Sequence, residues 1–269
     1  MGGSFAAERV ATGVEGLDQM LDGGLLRGST TLVKGAPGTG KTCIGLEFLA
    51  TGAMREGEPG AFITFEHFPR KLHRDARSIG IPLEELEDKG LIRTVFTSPD
   101  VFISQVKQAD GLLDRLVREM GLARIVVDSI SHLERLSDDP LRLREIAYAF
   151  INGLMRHELT SIITQEEPEI LGTSATAAEF GISYLMDTVI QLSYVEVDSS
   201  IRRALLILKQ RASCHDKAIR QFRITDGGIK VEKPFEDREG VLSGVPVRRE
   251  LEAFMEAFGK REQGRRKGG

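Results

Sequence analysis

A glycine-rich stretch near the start of the chain constrains the fold more than any other feature. Residues 35–42 read Gly-Ala-Pro-Gly-Thr-Gly-Lys-Thr and fit the pattern G-x-x-x-x-G-K-[ST]. An apolar run at residues 30–33 precedes this stretch, and a helical pattern at about residues 40–54 follows it. This order predicts a strand, a turn and a helix, where backbone N–H groups and the positive helix end surround a phosphate group.

The residue types of this loop predict a site for a nucleoside triphosphate with Mg²⁺. Lys41 places a positive charge on the β- and γ-phosphates, and the Thr42 hydroxyl is a ligand of the metal ion. By chance the pattern occurs in roughly one chain in a hundred of this length, and the surrounding strand and helix lower that chance further. The residues expected to contact the nucleotide are Pro37, Gly38, Thr39, Gly40, Lys41, Thr42 and Cys43.

Two acidic residues that end apolar runs are the candidates for the metal and the general base. Asp128 closes the run at residues 124–128, where an acid commonly holds Mg²⁺, and this role is favoured over a simple helix cap. The next residue, often a catalytic glutamate in such ATPases, is Ser129. Glu66 follows the run at residues 61–65 and lies at the same sheet edge if the strands are parallel. An acid also suits a helix start, so the residues alone leave the role of Glu66 open.

The spacing of apolar residues predicts an α/β fold. Short β-branched runs alternate with segments of helical period, which indicates a mostly parallel sheet flanked by helices. Three strand-like runs at residues 187–195, 204–208 and 219–224 have no helix between them and predict antiparallel strands added at the C-terminal side. We expect an extension at residues 1–10, one domain at residues 11–246, and a helical and basic tail at residues 247–269.

The composition argues against several classes of protein. A net charge of −4 and a pI of about 5.8 disfavour nucleic acid as a partner. The two cysteines, Cys43 and Cys214, provide neither a disulfide framework nor a paired zinc motif. No apolar run reaches the roughly 18 residues that cross a bilayer, and the first residues lack the apolar core of a secretory signal. We therefore expect a cytoplasmic protein that does not enter membranes.

Five stretches within residues 11–246 carry a resemblance to a known family. They read TGVEGLDQMLDGGLLRGSTTLVKGAPGTGKT, ITFEHFPRKLHRDARSIGI, ARIVVDSISHL, LKQRASCHDKAIRQFRI and FEDREGVLSGVP. The glycine loop belongs to a whole superfamily, whereas the Gly-Leu-Asp opening, the Phe-Glu element and the K-x-R…S-x-H-D-K stretch are more specific. On these residues the chain resembles the KaiC family of RecA-like ATPases. The resemblance implies ATP as the nucleotide, a RecA-like fold and a homo-hexameric ring.

The resemblance also implies a role for Glu66. In the family a Glu-Glu pair after the second strand supplies a metal contact and the general base, and Glu66 matches the first member. His67 stands in the place of the second, which implies slower hydrolysis or an altered pH dependence.

Two cations near the C-terminal side change their interpretation with the resemblance. Lys209 and Arg211 are two apart on a strand-like run and share one face, which alone is typical of a solvated sheet edge. The resemblance implies instead that they reach across a ring interface to the ATP of the adjacent subunit. It implies that Arg203, Ser213, His215 and Lys217 line the same interface.

Residues 179–187 resemble the segment that is autophosphorylated in the second half of KaiC. Ser183 falls on the serine of that segment, and Tyr184 replaces the threonine. The tyrosine ring moves the hydroxyl several ångströms outward, so one nucleotide geometry does not serve both residues. Ordinary packing is favoured over autophosphorylation at Ser183 and Tyr184, because a shared fold does not transfer function.

The tail and two other functions remain as alternatives. Leu251, Phe254, Met255 and Phe258 form an apolar helical stripe, which is more typical of packing than of a docking site for a regulatory protein. The basic residues 260–267 fit a solvated tail better than a DNA contact. The alternative functions are a RecA- or RadA-like DNA-dependent ATPase and a scaffold that binds ATP to assemble with little turnover.

Overall fold

The computed structural model describes residues 8–167 and 182–235 in full, and the backbone of two later segments. The strands are β1 (Arg9–Val10), β2 (Leu25–Leu26), β3 (Thr30–Gly35), β4 (Gly60–Thr64), β5 (Ile92–Phe96), β6 (Arg124–Asp128), β7 (Thr160–Glu166), β8 (Thr188–Val197), β9 (Ser200–Gln210), β10 (Arg220–Thr225), β11 (Gly228–Pro234), β12 (Arg238–Glu239) and β13 (Val247–Arg248). The α-helices are α1 (Leu17–Met20), α2 (Lys41–Thr51), α3 (Pro69–Arg77), α4 (Leu83–Asp88), α5 (Pro99–Lys107), α6 (Leu112–Met120) and α7 (Pro140–Arg156). A π-helical turn at Gly52–Glu56 extends α2, and a 3₁₀ helix at Ile130–Leu136 follows β6.

Nine strands form one sheet in the order β11-β10-β9-β8-β3-β7-β6-β4-β5. All neighbours from β8 to β5 are parallel, and all neighbours from β8 to β11 are antiparallel. The predicted α/β fold is confirmed. One detail differs from the prediction. Strand β8 is antiparallel to β9, as expected, but it pairs in parallel with β3. The connection at residues 167–187 is long enough for the crossover that a parallel neighbour needs.

The central strands are buried on both faces. Successive residues alternate between two hydrophobic clusters, so Val33 and Phe62 pack on one side while Leu32 and Ile63 pack on the other. Helix α2 fills the first cluster and α7 the second. Strands covered in this way read as continuous apolar runs, which explains why the sequence reveals them.

Helix α5 and strand β11 are among the elements that were not predicted from the sequence. Helix α5 begins at Pro99, where the Ser98 side chain accepts a hydrogen bond from the Val101 N–H. Strand β11 forms a hairpin with β10, and Gly228 begins it in the left-handed region at φ 104°. The Asp226-Gly227 turn is a hairpin signal that would have indicated this strand. Among the described residues, none of the helices is both long and apolar enough to cross a bilayer.

Glu47 links the helix after the glycine loop to the edge of the sheet. Its side chain lies on α2, is 8% exposed and accepts a 2.5 Å hydrogen bond from the Ile229 N–H. Burial raises the pKa of the Glu47 carboxyl from 4.5 to about 7, although the Ile229 N–H opposes the shift. Ionised Glu47 is therefore a cost to the folded state at neutral and alkaline pH.

We expect Glu47→Gln to raise the free energy of unfolding at pH 8 by about 1–3 kcal/mol. Below pH 4.5 both states hold the proton; the cost develops between pH 4.5 and 7 and is fully present above pH 7. Glutamine keeps an acceptor for Ile229 and removes the charge. Urea unfolding at pH 5 and pH 8 measures the effect, with Glu56→Gln on the exposed turn as the control. An equal change at both pH values would contradict the prediction.

Candidate active site

The glycine loop joins the buried strand β3 to helix α2. Gly38 and Gly40 have φ angles of 78° and 111°, in the left-handed region that favours glycine. A Cβ atom at Gly38 would lie 2.8 Å from the Tyr194 hydroxyl, and one at Gly40 would lie 2.8 Å from the Ile224 side chain. The loop conformation therefore needs glycine at both positions, for its backbone angles and for space.

Lys41 is the first residue of α2 and is almost fully buried. Its Nζ donates to the carbonyl oxygens of Gly35 at 2.8 Å and Ala36 at 3.0 Å, and lies 3.9 Å from a Glu166 carboxylate oxygen. Burial lowers the pKa of the Lys41 ammonium, and the charge of Glu166 partly opposes that shift. The ammonium thus lies inside the loop, beside the N-terminus of α2, where an anion is favoured.

Asp128 lies beside the glycine loop at the C-terminal end of β6. Its Oδ2 accepts a 2.8 Å hydrogen bond from the Thr42 hydroxyl, and its Oδ1 accepts a 2.5 Å hydrogen bond from the Thr164 hydroxyl. A hydroxyl and a carboxylate in contact suit Mg²⁺, which usually takes few protein ligands and completes its shell with water and phosphate oxygens. Among the described residues, no three His, Cys, Asp or Glu side chains form a metal cluster of their own.

Glu66 lies at the same edge of the sheet, two residues after β4. The register of β4 against β6 pairs Thr64 with Asp128, which brings the two acidic residues to neighbouring strand ends. Oε1 of Glu66 lies 2.6 Å from Nε2 of His132, a residue on the 3₁₀ helix after β6. His132 was not predicted from the sequence, because a contact between residues that follow two different strands leaves no local sequence pattern.

His67 is half-buried next to the same carboxylates. Its Nδ1 lies 3.9 Å from Oδ2 of Asp128 and, among the described residues, has no hydrogen-bond partner. The Thr64 hydroxyl accepts hydrogen bonds from the backbone N–H groups of Glu66 and His67, which fixes the chain after β4. An imidazole therefore occupies the side of Asp128 where the family resemblance places a second carboxylate.

Arg203 contacts the glycine loop of its own chain. Its guanidinium lies 3.4 Å from the Gly38 carbonyl oxygen and over the Tyr194 ring, 5.6 Å from the ring centre. The residues alone did not predict this contact. Its predicted place at a subunit interface stays a prediction.

Lys209 and Arg211 lie at the C-terminal end of β9 and contact the turn before β8. Nζ of Lys209 donates to the carbonyl oxygens of Met186 at 2.5 Å and Ser183 at 3.2 Å. The Arg211 guanidinium donates to the Tyr184 carbonyl oxygen at 2.8 Å. Burial lowers the pKa of Lys209. The Arg211 guanidinium also lies 4.0 Å from a carboxylate oxygen of Asp187. Both cations therefore have partners within a single chain, and their role towards a neighbouring subunit stays a prediction.

The remaining predicted interface residues follow β9. The Ser213 hydroxyl accepts a 2.5 Å hydrogen bond from Arg9. His215 is half-buried and Lys217 is exposed. Among the described residues, no hydrogen bond joins these three residues to the glycine loop. Their role at an interface therefore also stays a prediction.

The turn with the candidate phosphorylation sites is only partly described, because residues 179–181 lie outside the described residues. Ser183 is half-buried. Tyr184 packs edge-on against Tyr148 with ring centres 6.2 Å apart, and the neighbouring Tyr148 hydroxyl raises the pKa of Tyr184. The tyrosine is thus held by a neighbouring side chain on α7.

A family model described as "ATPase: KaiC" matches residues 10–236. Circadian clock oscillator protein KaiC of Thermostichus vulcanus is 34% identical over 247 residues, covering 89% of this chain and 45% of its own length. Circadian clock protein KaiC3 of Synechocystis sp. is 34% identical over 239 residues, covering 89% and 46%. Circadian clock oscillator protein KaiC of Parathermosynechococcus lividus is 36% identical over 248 residues, covering 89% and 43%.

The match has a clear extent. The chain spans about half the length of the curated relatives it matches. Residues 10–236 take in the glycine loop, Glu66, Asp128 and the strand with Lys209. The RecA-like sheet and the glycine loop agree with the matched model, and this chain belongs to the KaiC family of ATPases.

Proposed function

We propose that this chain hydrolyses ATP with Mg²⁺ at a site completed by a neighbouring copy in a ring. The observation that carries the proposal is the contact between Thr42 and Asp128 at the mouth of the glycine loop, beside the buried Lys41. A hydroxyl, a carboxylate and an ammonium at a helix N-terminus suit a metal-bound triphosphate and little else.

The loop residues divide the work of binding. Backbone N–H groups of residues 38–43 surround the phosphates, and Lys41 exchanges its loop carbonyls for the β- and γ-phosphate oxygens. Thr42 and Asp128 would hold Mg²⁺, with Asp128 acting directly or through water, and Glu66 would add a contact to the ion through a bound water molecule. Bound Mg²⁺ neutralises the charge that develops on the phosphates.

Glu66 is the general base of the proposed reaction. Its side chain is 41% exposed, so water reaches it, and it follows a strand whose neighbour ends in Asp128. The carboxylate takes a proton from the water that attacks the γ-phosphate, and ADP leaves on the other side. Glu66 thus acts on the water and not on the nucleotide itself.

Lys209 and Arg211 supply positive charge to the ATP of the adjacent subunit. Their support is the family match together with their common place at one end of β9. A cation supplied in trans to a transferring phosphoryl group is worth about 10³–10⁵ in rate. We propose six subunits on the same likeness, with Arg203, Ser213, His215 and Lys217 at or near the interface.

The wider role remains a set of predictions. We propose a cytoplasmic regulatory ATPase, since the matched relatives are described as circadian clock proteins. Docking of a regulatory protein on the tail concerns residues 249–269, which lie outside the described residues. A DNA-dependent ATPase is the alternative, and filter binding of DNA across a salt titration tests it, because affinity for phosphates falls steeply with salt.

Glu66→Gln is expected to separate binding from hydrolysis. Turnover falls by roughly 10²-fold or more, because the base is lost, while the Kd for ATP changes by less than about twofold. Lys41→Ala instead abolishes binding. Phosphate release over many turnovers and fluorescent-nucleotide titration measure the two effects, with the exposed Glu119→Gln as control. Equally negligible phosphate release by wild type and Glu66→Gln would support the scaffold alternative, and equal release at a substantial rate would contradict a catalytic Glu66.

Mixing two inactive variants tests the shared site. Lys209→Ala subunits keep a binding loop and lack the lent cation, whereas Lys41→Ala subunits lend the cation and bind no ATP. Mixed rings are expected to recover activity at interfaces where a Lys41→Ala subunit supplies Lys209 to the ATP bound by a Lys209→Ala subunit. The control replaces the second variant with the double Lys41→Ala/Lys209→Ala chain, which lends nothing. Mixed rings verified by native mass spectrometry that stay inactive would exclude sites shared through Lys209.

Incubation with ATP and Mg²⁺ is expected to leave the intact mass unchanged. The Tyr184 ring packs against Tyr148, and the carbonyl groups of Ser183 and Tyr184 accept hydrogen bonds from the cations at the end of β9, so we propose a packing role for this turn. Intact-mass spectrometry makes the measurement, with Lys41→Ala as the control. A gain of one phosphate by wild type alone, lost in Ser183→Ala, would instead establish autophosphorylation.

A further inference from the structure

The Glu66 side chain has a close partner on a separate element of the described chain. The Glu66 carboxylate is partly exposed at the edge of the sheet. A side chain with three rotatable bonds samples several rotamers there unless a hydrogen bond restrains it. Nε2 of His132 lies 2.6 Å from Oε1 of Glu66. An ionised carboxylate only accepts hydrogen bonds, so Nε2 carries the hydrogen and donates it.

The backbone around His132 is anchored on both sides. Ile130 and Leu133 are fully buried in the cluster under α7. The Ser129 hydroxyl accepts a hydrogen bond from the Ser131 N–H at 3.3 Å, and the Ser131 hydroxyl accepts one from the Glu166 N–H at 2.9 Å. The turn that carries His132 is therefore tied to the end of β7, within the phosphate site.

The imidazole ring is oriented by a row of aromatic rings. His132 packs edge-on against Phe65 with ring centres 6.1 Å apart. Phe65 in turn packs against Phe102 at 5.7 Å, and Phe102 against Phe150 at 5.7 Å. The row runs from the strand end into the core between α5 and α7, so the direction of Nε2 is set by packing and not by solvent.

We propose that His132 is the positioning residue of Glu66, which rests on the proposed role of Glu66 as general base. By holding Oε1, His132 leaves Oε2 for the attacking water. The chain has His67 in place of a second carboxylate, so the orientation of one carboxylate decides where the base points. Partners that orient the carboxylates and imidazoles of metal sites typically change activity 10- to 100-fold when removed.

Two substitutions of His132 separate the hydrogen bond from packing. His132→Phe keeps a ring against Phe65 and removes the donor, and it is expected to lower kcat about 10- to 100-fold. KM and the Kd for ATP change by less than about twofold, because binding does not use the base. His132→Gln places an amide N–H near the position of Nε2 and is expected to recover most of kcat.

Two further measurements show whether His132 acts through Glu66. In the Glu66→Gln background, His132→Phe is expected to change the residual rate by less than about twofold. In nucleotide-free protein, ¹⁵N NMR of the histidines is expected to show the hydrogen of His132 on Nε2 and to shift that signal in Glu66→Gln. Wild-type kcat in His132→Phe, or an equal loss in both backgrounds, would overturn the proposal.

The outcomes separate this inference from the proposed function. Wild-type turnover in Glu66→Gln would remove the general base and the inference with it. An inactive Glu66→Gln beside a fully active His132→Phe would overturn the inference alone. If His132→Phe is unfolded by circular dichroism, His132→Gln and His132→Asn decide, since only the longer glutamine reaches Glu66. Equal rates in these two variants count against positioning, and a faster His132→Gln supports it.

Discussion

The rest of this structure depends on the turn between β3 and α2. Gly38 and Gly40 bend the backbone into the left-handed region and let Tyr194 and Ile224 approach closely enough to exclude a Cβ. The strand before the turn is hydrogen-bonded to parallel neighbours on both sides, so the turn cannot move along the sheet. Because the other parallel strands end at the same edge, the acidic residues that follow them are presented to the turn.

The turn is surrounded by carboxylates, which is why the proposed site requires a metal ion and cations from a second subunit. The carboxylates of Glu166, Asp128, Glu167 and Glu66 all act on the Lys41 ammonium, whose pKa burial lowers. A triphosphate that enters this cluster meets repulsion from each of those carboxylates. In the proposed ring, Mg²⁺ between phosphate and carboxylate would remove part of that repulsion, and Lys209 and Arg211 of a second subunit would remove more without being buried in the empty site. A shared site of this kind would avoid a permanently buried cluster of cations.

The sequence predicts the parts of this site that are local and misses those that are not. The glycine loop, Asp128 at the end of β6 and Glu66 after β4 can be predicted from the sequence. Each of them ends or follows an apolar run, and the carboxyl ends of parallel strands converge. The pair of Glu66 and His132 is not readable, since it joins residues on separate turns whose distance is set by the strand register and an aromatic row. The contact of Arg203 with the glycine loop of its own chain is hidden for the same reason, because it depends on the pairing of β9 with β8 and of β8 with β3.

The antiparallel strands connect Lys209 and Arg211 to the glycine loop of the same chain through packed side chains. Phe222 and Ile224 of β10 lie within 4 Å of the position of a Cβ on Gly40, and β10 pairs with β9, which carries Lys209 at its far end. Glu47 ties α2 to β11 on the other side of the same hairpin. Interiors are close-packed, so a shift of Gly40 on nucleotide binding displaces these side chains or is resisted by them. In the proposed ring, the strand that reaches the neighbour's nucleotide would pack through β10 against the glycine loop of its own chain, and this packing would couple adjacent sites.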